Sequence, residues 1–278
     1  MTATQDIGVT EISELDSARG RFRDELIEAE LLVPSSVEGL YGRSGEFEDI
    51  IDTIDDAVKA AGASMLRGGA FKPRTSPYEF QGLGEEGLKL LAKAREETGL
   101  PIVTELLSQD QAELVAEYSD MLQIGTRNAQ NFQLIIAAAK TGKPVLLKRG
   151  MSMRIMEWLL AGEYVLANRN PNLLFCERGI RTFEDYTRNT LDLSAVAVVK
   201  AESHCPIVVD PSQGCGKASL VRSMCKGAVA MGADALLVEV HPNPTEAISD
   251  AAQQIDLEDF AALMDELAPI AESVGREI

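Results

Sequence analysis

Positively charged side chains gather at a few places in a chain that is otherwise strongly acidic. The 278 residues carry a formal net charge of −18, yet Lys and Arg recur just behind short apolar runs. Cations grouped in this way can bind phosphate or carboxylate groups. They are Arg67, Lys72, Arg74, Arg127, Lys148, Arg149, Arg178 and Lys217.

The segment RGGAFKPRTS at residues 67–76 combines most of the groups that an anion needs. Its two glycines let the backbone turn tightly and approach a ligand. Three cations and two hydroxyls complete the set. We therefore predict an anion site formed by Arg67, Lys72, Arg74, Thr75 and Ser76.

Three later segments extend the same chemistry. Thr126 and Arg127 precede a predicted helix whose free N–H groups would help to bind an anion. Lys148 is expected to point into the same site, because lysine is rarely buried without a partner. Arg178 adds a further cation. Several cations that converge on one site indicate a multiply charged anion, or two anions.

Carboxylates follow the last two apolar runs. Asp210 ends the first of them, Glu239 ends the second, and Asp250 lies in the next loop. Two neighbouring carboxylates could hold a divalent metal ion, or they could belong to an ordinary acidic loop. Of the two histidines, His204 is expected to be structural, and His241 is not assigned as a ligand.

Short strands that alternate with helices must position these residues. Alternation with short connectors predicts a parallel sheet. Eight repeats predict a single-domain (β/α)8 TIM barrel, an α/β fold whose functional residues lie at the C-terminal ends of its strands. The strands are predicted at Leu31–Val33, Ser64–Leu66, Ile102–Thr104, Met121–Ile124, Pro144–Leu147, Asn172–Phe175, Pro206–Val209 and Ala235–Val238. Helical periodicity predicts helices at Phe47–Ala60, Glu85–Thr98, Gln111–Glu117, Ala129–Thr141, Met153–Ala161, Leu220–Met231 and Leu257–Val274.

Length and composition set further bounds. Residues 1–30 are predicted to form a short N-terminal helical extension, and residues 31–278 to form the barrel. The net charge of −18 disfavours nucleic acid and anionic membranes as partners. No apolar run reaches the roughly 18 residues of a membrane span. Four cysteines without a C-x-x-C pair predict a reducing, cytoplasmic location.

The motifs resemble those of class I (beta-type) 3-deoxy-D-arabino-heptulosonate 7-phosphate (DAHP) synthases. The resemblance spans residues 64–255 and rests on LRGGAFKPRTSPYEFQGLGEEGL, QIGTRNAQNF, LLKRGM, FCERGIRTFEDYTRNTLDLSAV, PIVVDPSQG, and LLVEVHPNP with AISDAAQQ. Members of that family are (β/α)8 barrels. They condense phosphoenolpyruvate (PEP) with erythrose 4-phosphate at the start of the shikimate pathway, which leads to the aromatic amino acids.

The resemblance implies roles for individual residues. The segment KPRTS at residues 72–76 matches the motif that receives the aldose phosphate and favours erythrose 4-phosphate as the acceptor. Lys148 is the candidate acid or base, acting with Arg67, Glu239 and Asp250. The residues implied to bind the substrates are Arg67, Lys72, Arg74, Thr75, Ser76, Thr126, Arg127, Lys148, Arg178 and Asp210.

The chain departs from the family at the metal site. Glu239 and Asp250 match two of the family's metal ligands, but Ser35 replaces the cysteine and Gln213 replaces the histidine. Without thiolate and imidazole, the site loses the soft ligands that favour zinc or iron. Three possibilities follow: a weakly bound magnesium or manganese ion, no metal, or substitution by the thiolate of Cys215.

The sequence thus predicts a DAHP synthase-like transferase that joins PEP to an aldose phosphate and releases phosphate, working as a homo-oligomer (a dimer or tetramer). A first alternative is a diverged homologue in specialised metabolism, with another acceptor or reaction. The altered metal positions and an apparent insertion at residues 40–45 motivate it. A second alternative is a catalytically silent, ligand-binding paralogue. The intact set of mutually repelling cations argues against that alternative.

Overall fold

The computed structural model describes residues 34–37, 57–74, 76–78, 80–247 and 249–278, with the backbone alone for residues 34–37. The predicted extension over residues 1–30 and the insertion at residues 40–45 lie outside the described residues, as does Thr75. The division of the chain at residue 30 therefore stays a prediction.

One parallel sheet closes on itself to form the centre of the molecule. Consecutive strands pair from β1 to β8, and β9 pairs with β1. Only Leu237 separates β8 from β9, so these two segments form one strand and the described sheet is an eight-stranded barrel. The segments are β1 (Pro34–Val37), β2 (Met65–Gly68), β3 (Ile102–Glu105), β4 (Met121–Ile124), β5 (Val145–Lys148), β6 (Leu173–Glu177), β7 (Ile207–Val209), β8 (Ala235–Leu236) and β9 (Val238–Glu239).

The strands continue further toward the predicted site than the apolar runs suggest. Arg67, Glu105 and Lys148 are strand residues rather than the first residues of loops. Ser35, predicted to follow the first strand, lies inside β1, where it pairs in register with Leu66 and Val238. The reason is that backbone pairing with both neighbours fixes the end of a strand, whatever the polarity of its side chains.

Eight helices lie wholly within the described part of the chain, and residues 57–60 are the described end of the helix predicted at Phe47–Ala60. The helix predicted at Met153–Ala161 ends too early, because α4 continues to Ala167. Two helices, α5 and α6, are not predicted. The run AVAVV in α5 alternates Ala with Val and lacks a helical period, and α6 is only five residues long. The helices are α1 (Glu85–Thr98), α2 (Ala112–Tyr118), α3 (Phe132–Lys140), α4 (Ile155–Ala167), α5 (Ser194–Glu202), α6 (Pro211–Cys215), α7 (Ala218–Ala230) and α8 (Leu257–Ser273).

The barrel interior is layered. Successive side chains of a strand point to opposite faces, so residues two apart share a face. The lower interior is apolar and consists of Met65, Val103, Met121, Leu146, Leu174, Cys176, Val208, Ala235 and Leu237. Two residues further along the same strands come Arg67, Glu105, Gln123, Lys148, Arg178, Asp210 and Glu239. A polar layer therefore rests on an apolar floor.

A second apolar core lies between the strands and the helices. Trp158 of α4 is fully buried, and its Nε1 donates a hydrogen bond to the carbonyl oxygen of Leu147 at 3.1 Å. Its ring meets that of Phe175 edge to face, with centroids 5.0 Å apart. These contacts fix α4 against β5 and β6. None of the helices in the described segments combines the length and apolarity needed to cross a bilayer.

Candidate active site

A cavity of 370 Å³ opens at the C-terminal ends of the barrel strands. Among the described residues that line it, eight are cations and two are carboxylates, in a chain whose net charge is −18. The cavity therefore concentrates positive charge that the rest of the protein lacks. The cations are Arg67, Lys72, Arg74, Arg127, Lys148, Arg178, Arg181 and Arg188, and the carboxylates are Glu105 and Asp250.

Strand alternation divides the predicted cations into two groups. Lys148 faces the cavity, whereas Arg149, the next residue, points to the other face and binds Glu177 and Asp192, each at 2.8 Å. Burial alone would lower the pKa of Arg149, but these two carboxylates outweigh it and raise the pKa. Arg149, which the sequence grouped with the other cations, thus forms a structural ion cluster with Glu177 and Asp192 outside the barrel mouth.

Lys148 and Asp210 form a buried ion pair at the bottom of the cavity. Lys148 Nζ lies 2.6 Å from Asp210 Oδ2, and neither side chain is more than 2% exposed. Asp210 also caps α6, because its Oδ1 accepts the backbone N–H of Gln213 at 2.9 Å. The pair therefore holds the Lys148 ammonium in a fixed position at the bottom of the cavity.

Arg178 is a buried cation with incomplete pairing. Its Nη2 donates to Gln213 Oε1 at 3.2 Å, but within the described part of the chain neither Nε nor Nη1 has a hydrogen-bond partner. Burial lowers the pKa of its guanidinium, the direction expected for a cation with too few compensating anions. A bound anion would supply the acceptors that the protein does not.

Gln213, at the position of the family's metal-binding histidine, contacts two cations. Its Oε1 lies 3.4 Å from Lys148 Nζ as well as 3.2 Å from Arg178 Nη2. Its backbone carbonyl accepts the side-chain N–H of Asn189 at 3.0 Å. The amide oxygen therefore acts as a shared acceptor between the two cations.

Arg67 reaches the same cavity from β2. Its Nε donates to Gln123 Oε1 at 2.7 Å, and Gln123 Nε2 donates to Glu105 Oε2 at 3.2 Å. This chain of hydrogen bonds crosses three neighbouring strands. It fixes the direction of the Arg67 guanidinium before any ligand binds.

The loop after β2 brings two more cations to the cavity. Lys72 Nζ donates to Ser249 Oγ at 3.1 Å, and Arg74 Nε donates to the carbonyl oxygen of Phe80 at 2.9 Å. Ser76 is not among the described residues that line the cavity, and its hydroxyl accepts the backbone N–H of Tyr78 at 3.3 Å. The predicted anion site thus keeps its three cations, Arg67, Lys72 and Arg74, whereas the Ser76 hydroxyl binds within the loop.

The segment after β4 differs from the prediction. Thr126 and Arg127 line the cavity, but Thr126–Asn128 forms a 3₁₀ turn and α3 begins only at Phe132. The side chain of Asn131 accepts the backbone N–H of Leu134 and so caps α3. The helix N-terminus that was predicted to bind an anion beside Arg127 is therefore displaced and already capped. The hydroxyl of Thr126 donates to the carbonyl oxygen of Arg149.

The two carboxylates predicted as metal ligands form what we call the acidic corner, together with Arg188 and Gln253. Arg188 Nη1 lies 2.8 Å from Asp250 Oδ1 and 2.9 Å from Gln253 Oε1. Gln253 Nε2 donates to Glu239 Oε2 at 2.7 Å. Sequence reasoning missed Arg188 and Gln253, although both lie inside the motifs that carry the resemblance.

Cys215 and His241 are engaged elsewhere. The Cys215 thiol lies in the core and donates to the carbonyl oxygen of Pro211 at 2.9 Å. Burial raises the pKa of this thiol, which opposes formation of the thiolate that a metal would need. His241 Nδ1 accepts the backbone N–H of Asn243 at 3.0 Å. Neither residue lines the cavity as the structure describes it.

The donors at the family's metal position do not fit a transition metal. Gln213 Oε1 faces two cations, and Asp250 already pairs with Arg188. No group of three or more His, Cys, Asp or Glu side chains is arranged to hold a metal ion among the residues with described side chains. A zinc-type site needs nitrogen or sulfur donors, and the positions of Ser35 and Gln213 supply none.

Comparisons with known proteins agree with the site. The model of the DAHP synthetase I family matches residues 46–273. The phospho-2-dehydro-3-deoxyheptonate aldolase of Thermotoga maritima is 51% identical over 245 residues, which is 88% of this chain and 70% of that protein. A 2-dehydro-3-deoxyphosphooctonate aldolase from Syntrophotalea carbinolica is 34% identical over 209 residues, which is 71% of this chain and 74% of that one.

Solved structures give the same result. The crystal structure of the Thermotoga maritima DAHP synthase superposes with a TM-score of 0.84 at 45% identity, over 90% of this chain and 72% of that one. A truncated form of the same synthase superposes with a TM-score of 0.81 at 41% identity, over 90% of each chain. The family model and the Thermotoga maritima relative both match most of this chain, and the barrel with its cationic mouth agrees with them. This chain therefore belongs to the DAHP synthetase I family.

Proposed function

We propose that this enzyme condenses PEP with an aldose phosphate, with erythrose 4-phosphate as the favoured acceptor. The observation that carries the proposal is the cationic cavity at the barrel mouth, where eight Lys and Arg side chains meet two carboxylates. Two phosphorylated substrates, one of which also has a carboxylate, supply enough negative charge to balance this set. The name of the Thermotoga maritima relative and the KPRTS segment at residues 72–76 support the choice of acceptor.

PEP would bind at the bottom of the cavity. Arg178 offers Nε and Nη1, which have no hydrogen-bond partner among the described residues, and Arg67 is held in place by Gln123. Lys72 and Arg127 would complete the site. Thr126 and Asp210 orient their neighbours, since Thr126 binds a backbone carbonyl and Asp210 binds Lys148. The aldose phosphate would bind nearer the loop, at Arg74, which lines the cavity, and the resemblance to the family adds Thr75 and Ser76 to this site.

The reaction forms one carbon–carbon bond and breaks one carbon–oxygen bond. C3 of PEP attacks the aldehyde carbon, and the aldehyde oxygen takes a proton from the ammonium of Lys148. Water adds at C2 and gives one proton back to Lys148. The C2–O bond to phosphate then breaks as the C2 carbonyl forms, and the second water proton leaves with the inorganic phosphate, which gives a 2-keto acid. Arg67, Arg127 and Arg178 stabilise the charge that develops on carboxylate and phosphate. By resemblance to the family, Glu239 and Asp250 would act at the end of the cavity that holds the acceptor aldehyde.

The proposal extends to cofactors and assembly. We expect no tightly bound transition metal, and at most a weakly bound magnesium or manganese ion, because thiolate and imidazole donors are replaced. A homo-oligomer is supported by an exposed apolar stripe on α4, formed by Met156, Leu160 and Tyr164, with Phe132 stacked on Tyr164 at 4.5 Å. A cytoplasmic location remains a prediction, in keeping with four free cysteines.

The test is steady-state turnover of PEP with erythrose 4-phosphate, followed by release of phosphate. Lys148→Met should lower kcat by about 100-fold or more, the usual contribution of a proton-transferring group. Lys140→Met, which removes an exposed lysine at the end of α3, is the matched control and should leave kcat unchanged. Absence of PEP consumption, together with absence of PEP binding by calorimetry, would exclude the proposal.

A diverged acceptor is the second candidate, and the altered metal positions favour it. An enzyme that orients the aldehyde without the family's metal could accept a different carbonyl compound. Phosphate release measured across a panel of aldehydes separates the two candidates. Faster turnover with another aldehyde than with erythrose 4-phosphate would establish the second. Tight PEP binding without turnover of any aldehyde would instead favour a silent paralogue.

A further inference from the structure

Arg188 is the cation of the acidic corner. It comes from the loop between β6 and α5 and lines the cavity. It binds Asp250 directly at 2.8 Å and reaches Glu239 through the amide of Gln253, by hydrogen bonds of 2.9 and 2.7 Å. One guanidinium thus contacts Asp250 directly and Glu239 through Gln253, the two carboxylates at the positions of the family's metal ligands.

The backbone around this pair is fixed by unusual local geometry. The N–H of Arg188 donates to the carbonyl oxygen of Cys215 at 3.1 Å. A Cβ atom at Gly216 would lie 2.4 Å from the Cβ of Arg188, so only glycine permits this approach. Asp250 itself has a left-handed backbone with φ of 54°, a conformation that costs most residues free energy and that aspartate tolerates. The two partners are therefore held facing each other.

We propose that Arg188 is an internal counter-ion that takes the place of a divalent metal at the acidic corner, and that its guanidinium binds the carbonyl oxygen of the acceptor aldehyde. The second part rests on the proposed function. Because its guanidinium already lies 2.8 Å from Asp250 Oδ1, Arg188 competes with a metal ion for that carboxylate. Its described hydrogen bonds to side chains both use Nη1, so Nε and Nη2 are the donors it can offer to a ligand.

Gln213, one of the two changed metal-ligand positions, also contacts cations. It replaces a histidine that could bind a metal, and its oxygen accepts hydrogen bonds from Lys148 and Arg178. Side-chain cations thus contact the oxygen donors of both Gln213 and Asp250. As the new carbon–carbon bond forms, negative charge develops on the aldehyde oxygen, and a fixed guanidinium stabilises such charge without rearrangement.

Manganese binding tests the counter-ion directly, without any need for activity. Titration calorimetry with Mn²⁺ alone would compare the full-length parent protein, Arg188→Ala, and the double variant Arg188→Ala with Asp250→Asn. The Arg188 side chain is 45% exposed, so solvent weakens its pairing and the expected gain is moderate. We expect Arg188→Ala to bind Mn²⁺ at least about tenfold more tightly than the parent, and the double variant to lose this gain.

Arg222→Ala is the matched control, because Arg222 also pairs with two carboxylates, Asp259 and Glu266, on an exposed surface. It should not gain Mn²⁺ affinity. Stoichiometric, micromolar Mn²⁺ binding by the parent protein would overturn the proposal. So would an Arg188→Ala variant that is folded by circular dichroism and binds no more Mn²⁺ than the parent. If Arg188→Ala does not fold, Arg188→Gln tests the same loss of charge.

Turnover tests the second part. With PEP and erythrose 4-phosphate in the presence of a chelator, Arg188→Gln should lower kcat at least about tenfold. The charge-conserving Arg188→Lys should retain more activity, and PEP affinity should be unchanged in both variants. Full activity of Arg188→Gln would overturn the role at the aldehyde. If the parent protein itself shows no turnover, the proposed function fails, and the manganese titration still decides whether Arg188 is the counter-ion.

Discussion

Arg178 and Arg149 are two buried arginines for which the structure predicts opposite effects of the same substitution. Both are at most 4% exposed. Arg149 pairs with Glu177 and Asp192, whereas Arg178 has one hydrogen bond to Gln213, and its Nε and Nη1 lack acceptors within the described residues. The protein supplies acceptors for the first guanidinium, whereas two nitrogens of the second have none among the described residues.

Replacement of each arginine by methionine keeps much of the side-chain volume and removes the charge. Arg149→Met leaves Glu177 buried without its partner, so the free energy of unfolding should fall by about 3–5 kcal/mol. Arg178→Met removes a poorly compensated buried charge. It should therefore leave the free energy of unfolding of the ligand-free protein unchanged, or raise it by about 1 kcal/mol.

Arg178→Met, which should not lower stability, should strongly weaken PEP binding. A hydrogen bond between charged groups contributes about 1.5–3 kcal/mol, and Arg178 has two donors to offer. Since about 1.4 kcal/mol corresponds to a factor of ten, Arg178→Met should weaken PEP binding by about 100-fold or more. PEP should correspondingly lose its ability to raise the melting temperature of this variant.

Urea denaturation of the ligand-free proteins and calorimetry with PEP measure the two effects separately. Arg178→Met should lose affinity for PEP without losing stability, and Arg149→Met should lose stability. The contrary result would be an Arg178→Met variant that unfolds as readily as Arg149→Met and still binds PEP as the parent does. That result would mean that Arg178 is a structural residue whose partners form in solution.

Three further predictions follow from single positions. Arg127→Ala should weaken PEP binding at least about tenfold by calorimetry, because it removes a charge-assisted hydrogen bond; unchanged affinity would place Arg127 outside the PEP site. Gly82→Ala should lower the melting temperature more than Gly142→Ala. Both glycines have positive φ, but a Cβ at Gly82 would lie 2.1 Å from the Ala70 carbonyl oxygen, whereas a Cβ at Gly142 would meet nothing within 4 Å. Equal shifts in melting temperature would show that this clash has no effect. Burial lowers the pKa of His241 from its ordinary value of 6.5. The unfolded chain therefore takes up a proton at this histidine more readily than the folded protein does. The stability that neutral His241 contributes is present above pH 6.5 and is lost as the pH falls. His241→Gln should therefore flatten the decline of stability between about pH 7 and pH 5 in urea titrations, and an unchanged slope would contradict this.

The amino-acid sequence by itself determined the barrel and the identity of most cavity cations. Lys148, Arg67 and Arg178 were predicted because each lies at the end of a short apolar run, and in a parallel barrel all such ends meet at one face. The same local rule also separates Lys148 from Arg149, because neighbouring residues of a strand point to opposite faces. Local chain geometry was enough for these predictions.

Only the tertiary structure decided which partners these side chains have. Arg188 meets Asp250 and Gln253 across separations of 62 and 65 residues, and Gln213 reaches Lys148 across 65. Cys215, a possible metal ligand from its position in the sequence, is the last residue of α6, and its side chain lies in the hydrophobic core instead. Strand periodicity assigns a side chain to a face, but the loops that fold over the barrel mouth determine which groups face one another. Whether Asp250 and Glu239 meet a metal ion or a guanidinium therefore depends on long-range contacts that no local pattern encodes.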